Sequence, residues 1–177
     1  KDSNFYRIRV LGLPPNSEEN ILLPWDWVID SVGRDLVPLD GDQLIFSIDV
    51  GAGGDDTALL KRIGPEVKPI EVSGIADSEQ LTGWLLRRIL DGEPRVVLID
   101  PIGVGWGIAG NLRARWKGEV LDVNVAEVAS DNTRFSRLRD ELWWRLREDF
   151  EHRTITIPDD PVLIAELTAI RYEPDRL

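Results

Sequence analysis

Leu44-Ile45-Phe46-Ser47-Ile48-Asp49-Val50-Gly51 and Arg95-Val96-Val97-Leu98-Ile99-Asp100-Pro101-Ile102-Gly103 decide the fold. Each is a short, nearly continuous apolar run that ends on an aspartate just before a glycine turn. Runs of this length without strict alternation suit strands buried inside a sheet. Between them, Thr57–Arg62 and Val67–Val72 read as two further strands joined at the Gly64-Pro65 turn. A helix is expected over Ser78–Asp91: Asp77 with Gln80 forms a capping pair, Leu81, Trp84, Leu85 and Ile89 share one face, and Gly92-Glu93-Pro94 ends it. Beyond the second run, a helix over Gly107–Trp116 and a strand over Val120–Val125 follow.

The remaining chain frames this centre. Phe5–Val10 reads as a strand, Pro14-Pro15-Asn16 as a turn, and Pro24 opens a short helix through Trp25, Trp27 and Val28. Phe135, Leu138, Leu142, Leu146 and Phe150 recur at steps of three and four, predicting a helix over Arg134–Phe150. Thr154–Ile157 is strand-like, and Asp160-Pro161 caps and starts a last helix through Leu167 and Ile170. Strands alternating with helices in this order specify an α/β domain with a mixed central sheet.

Composition narrows the chemistry. The chain has 177 residues, 42% hydrophobic and 30% charged, which suits one domain with an extra arm. It has 32 acidic and 21 basic residues, a net charge of −11, which disfavours avid DNA binding through charge alone. Acidic groups concentrate divalent cations, however, and a neighbouring domain can supply the grip. Cysteine is absent, which removes disulfides, zinc fingers and thiol catalysis. The single histidine, His152, rules out a multi-histidine metal site, so hydrolysis here must run on carboxylates. With no methionine and no N-terminal signal pattern, the sequence is expected to be part of a longer protein.

In open α/β sheets, ligands bind beyond the carboxyl ends of the strands. If the two aspartate-ending strands are parallel neighbours about 4.8 Å apart, Asp49 and Asp100 converge on one crevice. Their mutual repulsion is relieved by a hard dication such as Mg²⁺ or Mn²⁺. Gly51, Gly53, Gly54, Gly103, Gly105 and Gly107 would keep the crevice floor open to a phosphodiester. No Gly-x-Gly-x-x-Gly or Gly-Lys-Ser/Thr phosphate loop competes. Asp56 either supports the ligands from the entry to the next strand or stabilises the turn. Arg113, Arg115 and Lys117, with Arg134, Arg137 and Arg139, either track DNA phosphates or belong to solvated helix faces. The interleaved Asp140, Glu141, Glu148 and Asp149 favour the solvated face. Most tryptophans suit packing, with Trp25 and Trp27 placed to dock a neighbouring domain.

Taken in order, these motifs resemble the C-terminal nuclease domain of the large terminase subunit of tailed bacteriophages. Phe5-Tyr6-Arg7 with Val10-Leu11-Gly12 and Trp27-Val28 is similar to the segment joining that family's packaging ATPase to its nuclease. Asp49-Val50-Gly51 with Gly54-Asp55-Asp56-Thr57-Ala58 resembles the first acidic strand and its return, and Ile99-Asp100 with Gly103-Val104-Gly105 resembles the second. Asn132-Thr133-Arg134, Asp140-Glu141-Leu142-Trp143, Ile157-Pro158-Asp159-Asp160 and Leu163–Leu167 are similar to the closing elements.

The resemblance implies an RNase H-like mixed sheet flanked by helices on both faces, over residues 41–177, with 1–40 as the connection from an ATPase domain. It implies a metal-dependent endonuclease that cuts concatemeric double-stranded DNA during genome packaging in the host cytoplasm. Asp49 and Asp100 would be catalytic metal ligands for two Mg²⁺ or Mn²⁺ ions about 3.5–4 Å apart. Implied partners are double-stranded DNA, the upstream ATPase domain, the small terminase subunit and the portal, with no membrane. The family's third acidic residue lies on a late helix, and Tyr172–Leu177 resembles its lead-in, so the chain is expected to stop before that ligand; Glu173, Asp175 or Asp159-Asp160 are the alternatives. Two rival readings remain. Asp49-x-Gly51 with Thr57 also resembles the phosphate-binding strand pair of sugar kinases and actin-like ATPases, and the tryptophan-bearing arm would suit a non-catalytic acidic docking module.

Overall fold

Ile45, Phe46, Ser47 and Ile48 pair in parallel register with Val96, Val97, Leu98 and Ile99, so the two apolar runs are neighbours at the centre of one sheet. The computed structural model describes residues 20–51 and 54–172. The Phe5–Gly12 motif, the Pro14-Pro15-Asn16 turn, Gly53, Glu173 and Asp175 lie outside the described residues. The elements are α1 (Trp25–Ser31), β1 (Leu44–Asp49), β2 (Thr57–Ile63), β3 (Glu66–Val67), β4 (Glu71–Ser73), α2 (Ser78–Gly92), β5 (Val96–Ile99), α3 (Gly105–Arg115), β6 (Glu119–Asp122), α4 (Leu138–Glu151) and α5 (Pro161–Ala169). The chain forms two compact units: Asp35–Glu127, and the segment up to Arg34 together with that from Val128 onward.

Asp35–Glu127 carries the mixed sheet, in the order β3-β2-β1-β5-β6, with β4 also on β2. β1 and β2 are antiparallel, whereas β1, β5 and β6 are mutually parallel. Register puts Phe46, Ile48, Leu59, Val97, Ile99 and Val120 on one face, where they pack with Leu81, Leu85 and Ile89 of α2 and Ile108, Ala109 and Leu112 of α3. The capping pair forms: Asp77 Oδ1 accepts from Gln80 N at 2.8 Å. One expected strand is in fact two. Pro69 has no N–H to give the ladder, so the run expected over Val67–Val72 splits into β3 and β4, both antiparallel to β2.

Charge is polarised along this sheet. Lys61 and Arg62 pair across from Phe46 and Ile45, and Arg95 N bonds Leu44 O, so these cations gather where β1 begins. There Glu71 pairs with both Lys61 and Arg88, which hold its carboxyl below the ordinary range, and Arg88 stacks 3.8 Å over Trp84. At the other end of β1, the stretches 48–58, 72–77 and 98–107 contain no lysine or arginine.

The second unit is built around Leu22, Leu23, Val28, Phe150, Ile155, Ile157, Ile164 and Leu167, all buried. Ile21 bridges Arg171, and Val32 bridges Ile157. α5 starts as expected, with Asp160 accepting from Val162 N and Leu163 N. α4 differs from its expected form in two ways. It begins at Leu138, because Arg137 is extended and bridges Val128, while Asp131–Phe135 forms a turn. Its inward face also carries Glu141 rather than Leu142: Glu141 is 1% exposed and Leu142 41%. The Glu141 carboxylate accepts from the Ser130 hydroxyl, from Ser130 N (2.6 Å) and Asp131 N (3.3 Å), and from Arg145. These donors hold its pKa at about 2, against an ordinary 4.5.

Because the folded pKa is depressed, this contribution is complete above about pH 4.5 and fades as pH falls toward 2. Glu141→Gln is therefore expected to lower Tm by about 5 °C at pH 7, with the gap to wild type closing as the pH approaches 3. Thermal unfolding followed by circular dichroism across pH 3–7 checks this; a gap independent of pH would refute it.

Candidate metal centre

Asp49 is the last residue of β1 and Asp100 the first after β5. Ile48 pairs with Ile99, and Asp100 N bonds Ile48 O at 3.2 Å, so the two aspartates continue the same parallel register on adjacent strands. Alternation along the strands sends both side chains to the face opposite the Phe46–Ile48–Val97–Ile99 core. This is the side-by-side arrangement the sequence leads one to expect. Asp49 is exposed and has no hydrogen-bond or ion partner among the described residues, while Asp100 Oδ1 accepts from Ile102 N at 3.0 Å.

The glycines have more particular duties than keeping a floor open. A Cβ at Gly51 would lie 2.1 Å from the Asp55 carbonyl oxygen, and one at Gly105 would lie 2.0 Å from that of Asp100. These two permit backbone-on-backbone contact. The same added atom at Gly105 would come within 3.9 Å of Val50 Cγ2, so the turns after β1 and β5 adjoin. Gly54 and Gly103 supply positive φ, at 114° and 62°. Gly107 has open space around it.

Asp56 is exposed, and its Oδ1 would lie 3.0 Å from a Cβ at Gly74, which places it against the start of the β4–α2 connection. Thr57 is buried, and its Oγ1 accepts from Gly51 N at 3.1 Å, so the hydroxyl closes the turn. Asp122 pairs with Ile99 and so faces the helix side, bonded to Arg113 at 2.5 Å.

Arg113 binds Val120 O and Asp122, Arg115 holds Glu79 at 2.7 Å, and Lys117 is exposed. Arg134 lies 3.8 Å from Glu148 and Arg137 bridges Val128, both in the other compact unit. Of the acids considered as a third ligand, Asp160 is occupied in capping α5. In the arm, Trp25 is 41% exposed, while Trp27 is covered by the Arg147 guanidinium at 4.7 Å.

Two carboxylates with free oxygens, side by side and without nearby cations, form a donor set that suits a hard divalent ion. No group of three or more histidine, cysteine, aspartate or glutamate side chains is gathered for a metal among the described residues. Asp49 and Asp100 would therefore hold an ion with water, or with groups outside those residues, completing its shell. The sequence already pointed to this pair; the buried Glu141 escaped it, because a carboxylate within a charged helix reads as solvated.

Strand order, the antiparallel β1–β2 pair and the parallel β1-β5-β6 set define an RNase H-like fold. Among solved structures, the chain is similar to the nuclease domain of the large terminase subunit of bacterial virus Sf6: TM-score 0.70, 15% identity, covering 86% of this chain and 83% of that one. It is also similar to the large terminase nuclease of thermophilic phage G20c (TM-score 0.67, 16% identity, covering 88% and 83%), which has also been solved with bound magnesium (TM-score 0.66, 18% identity, same coverage). No protein-family profile matches the chain, and no curated protein matches it in sequence. No helix among the described residues is long and apolar enough to cross a membrane.

Proposed function

We propose that this chain is the metal-dependent DNA endonuclease domain of a viral genome-packaging motor. The observation that carries the reading is the register of β1 and β5, which sets Asp49 and Asp100 side by side at one end of the sheet. The fold it shares with terminase nuclease domains, among them structures holding manganese or magnesium, supports the same assignment. Asp49 and Asp100 anchor Mg²⁺ or Mn²⁺, and Asp56 braces the turn beside them. When bound, such ions activate water and stabilise the departing oxygen of a phosphodiester. Asp49 and Asp100 would hold the ions from the ends of two strands whose pairing fixes the backbone beneath both side chains. The substrate on this reading is concatemeric double-stranded DNA in the host cytoplasm. Its partners are an ATPase domain of the same protein, the small terminase subunit and the portal.

The test is cleavage of circular duplex DNA by the complete protein with Mn²⁺ or Mg²⁺. Linear and degraded products are expected with the metal and none with excess chelator. Intact DNA under all metal conditions would overturn the reading.

A further inference from the structure

Three apolar side chains of the Asp35–Glu127 unit are exposed within six residues of Asp100: Ile102 at 55%, Val104 at 44% and Trp106 at 71%. Large apolar groups left this open in a cluster mark a contact surface. Three further observations give it an occupant. The ridge is tied to the aspartate, because Asp100 Oδ1 accepts from Ile102 N and Gly105 lies against the Asp100 carbonyl. It is held in a set shape, by Gly103 at φ 62° and by the Gly105 N to Ile102 O bond that starts α3. It is also uncharged from Pro101 through Leu112, and the adjoining turn after β1 carries exposed Asp49, Asp55 and Asp56, with Lys61, Arg62 and Arg95 at the far end of β1.

A duplex brought to this end of the sheet meets acidic groups that repel its phosphates, and no basic side chain from the neighbouring strand-end segments offsets them. On the nuclease reading the scissile phosphate would meet the ions held by Asp49 and Asp100, while the uncharged ridge beside them offers a duplex apolar surface suited to base and sugar rather than phosphate. We infer that Trp106, flanked by Ile102 and Val104, inserts into the DNA groove beside the scissile phosphate and opens a base step, positioning the strand over Asp49 and Asp100. Apolar wedges act on duplexes in this way, and indole rings stack on any base without reading sequence. Trp106 is a positioning residue in this scheme. The inference rests on the nuclease reading for its site, and its test is built to fail separately.

Full chain and Trp106→Ala and Trp106→Phe variants are compared on an intact duplex and on one with a two-base mismatch at the cut region, with Mn²⁺. Trp106→Ala is expected to cleave the intact duplex about 10-fold more slowly, to recover to within about 2-fold of wild type on the mismatched duplex, and to keep its Tm; Trp106→Phe should retain most activity. Equal loss on both substrates, or no loss, would overturn the inference. A second measurement needs no cleavage: 2-aminopurine in the duplex, with Ca²⁺ in place of Mn²⁺ and binding followed by anisotropy. Brightening on binding that Trp106→Ala lacks supports insertion even if the nuclease reading fails. A bound duplex that does not brighten with wild type overturns insertion even if cleavage is observed.

Discussion

On the proposed reading, Asp49→Asn and Asp100→Asn are each expected to lower Mn²⁺-dependent cleavage by the complete protein by at least about 1000-fold, while the fold survives. The substitution keeps the shape of the side chain and removes its charge. Asp49 loses nothing structural, since its carboxylate has no partner among the described residues. Asp100→Asn keeps a carbonyl oxygen for the Ile102 N–H. What each variant loses is the negative oxygen a hard cation requires. The same electrostatics predicts a second, opposite signature. Two adjacent carboxylates repel when no ion is bound, so without metal each variant should melt at or slightly above the wild-type temperature. Added Mn²⁺ should raise the wild-type Tm and leave the variants unmoved, because only a site that binds the folded state shifts the transition. Cleavage assays with thermal shifts, with and without Mn²⁺, read both effects. Full cleavage by either variant would remove that aspartate from the site.

The second large effect belongs to a glycine. Gly105→Ala would place a methyl 2.0 Å from the Asp100 carbonyl oxygen, and neither partner of that clash is a flexible side-chain end. Backbone must move, and the backbone that moves carries Asp100. Overpacking of this kind costs about 1–3 kcal/mol, or roughly 5 °C in Tm for a chain of this size. If Asp100 holds an ion as proposed, displacing it by even about 1 Å costs on the order of 100-fold in rate. Gly107→Ala, two residues along the same helix, has open space and should instead raise stability by about 0.5–1 kcal/mol, the helix propensity difference between glycine and alanine. Urea denaturation of the pair tests the contrast directly. Equal behaviour of the two variants would mean the Asp100 turn tolerates a side chain.

Much of this architecture could be read from the residues because local and long-range preferences agree. β1 and β5 are apolar runs of strand length, α2 and α5 begin at aspartates that do cap them, and the strand-end aspartates follow from where the runs stop. The misreadings share one cause: a local pattern was outvoted by the preceding loop folding back on it. The spacing of Phe135 and Leu138 is helical, yet the Arg137–Val128 bridge holds that stretch extended. Glu141 looks solvated until Ser130, Asp131 and Arg145 are brought to it. Pro69, by contrast, carried its own warning, since a proline cannot donate to a ladder.

That proline has an effect beyond the pairing it interrupts. β3 and β4, of two and three residues, line the outer side of β2, and neither is long enough to template a foreign strand. An unbroken rim there would invite copies of the protein to zip together when concentrated, as happens with long flat borders of open sheets. The break around Pro69 acts as a guard against self-association, and replacing that proline with a strand-forming valine should make the purified protein more prone to aggregate.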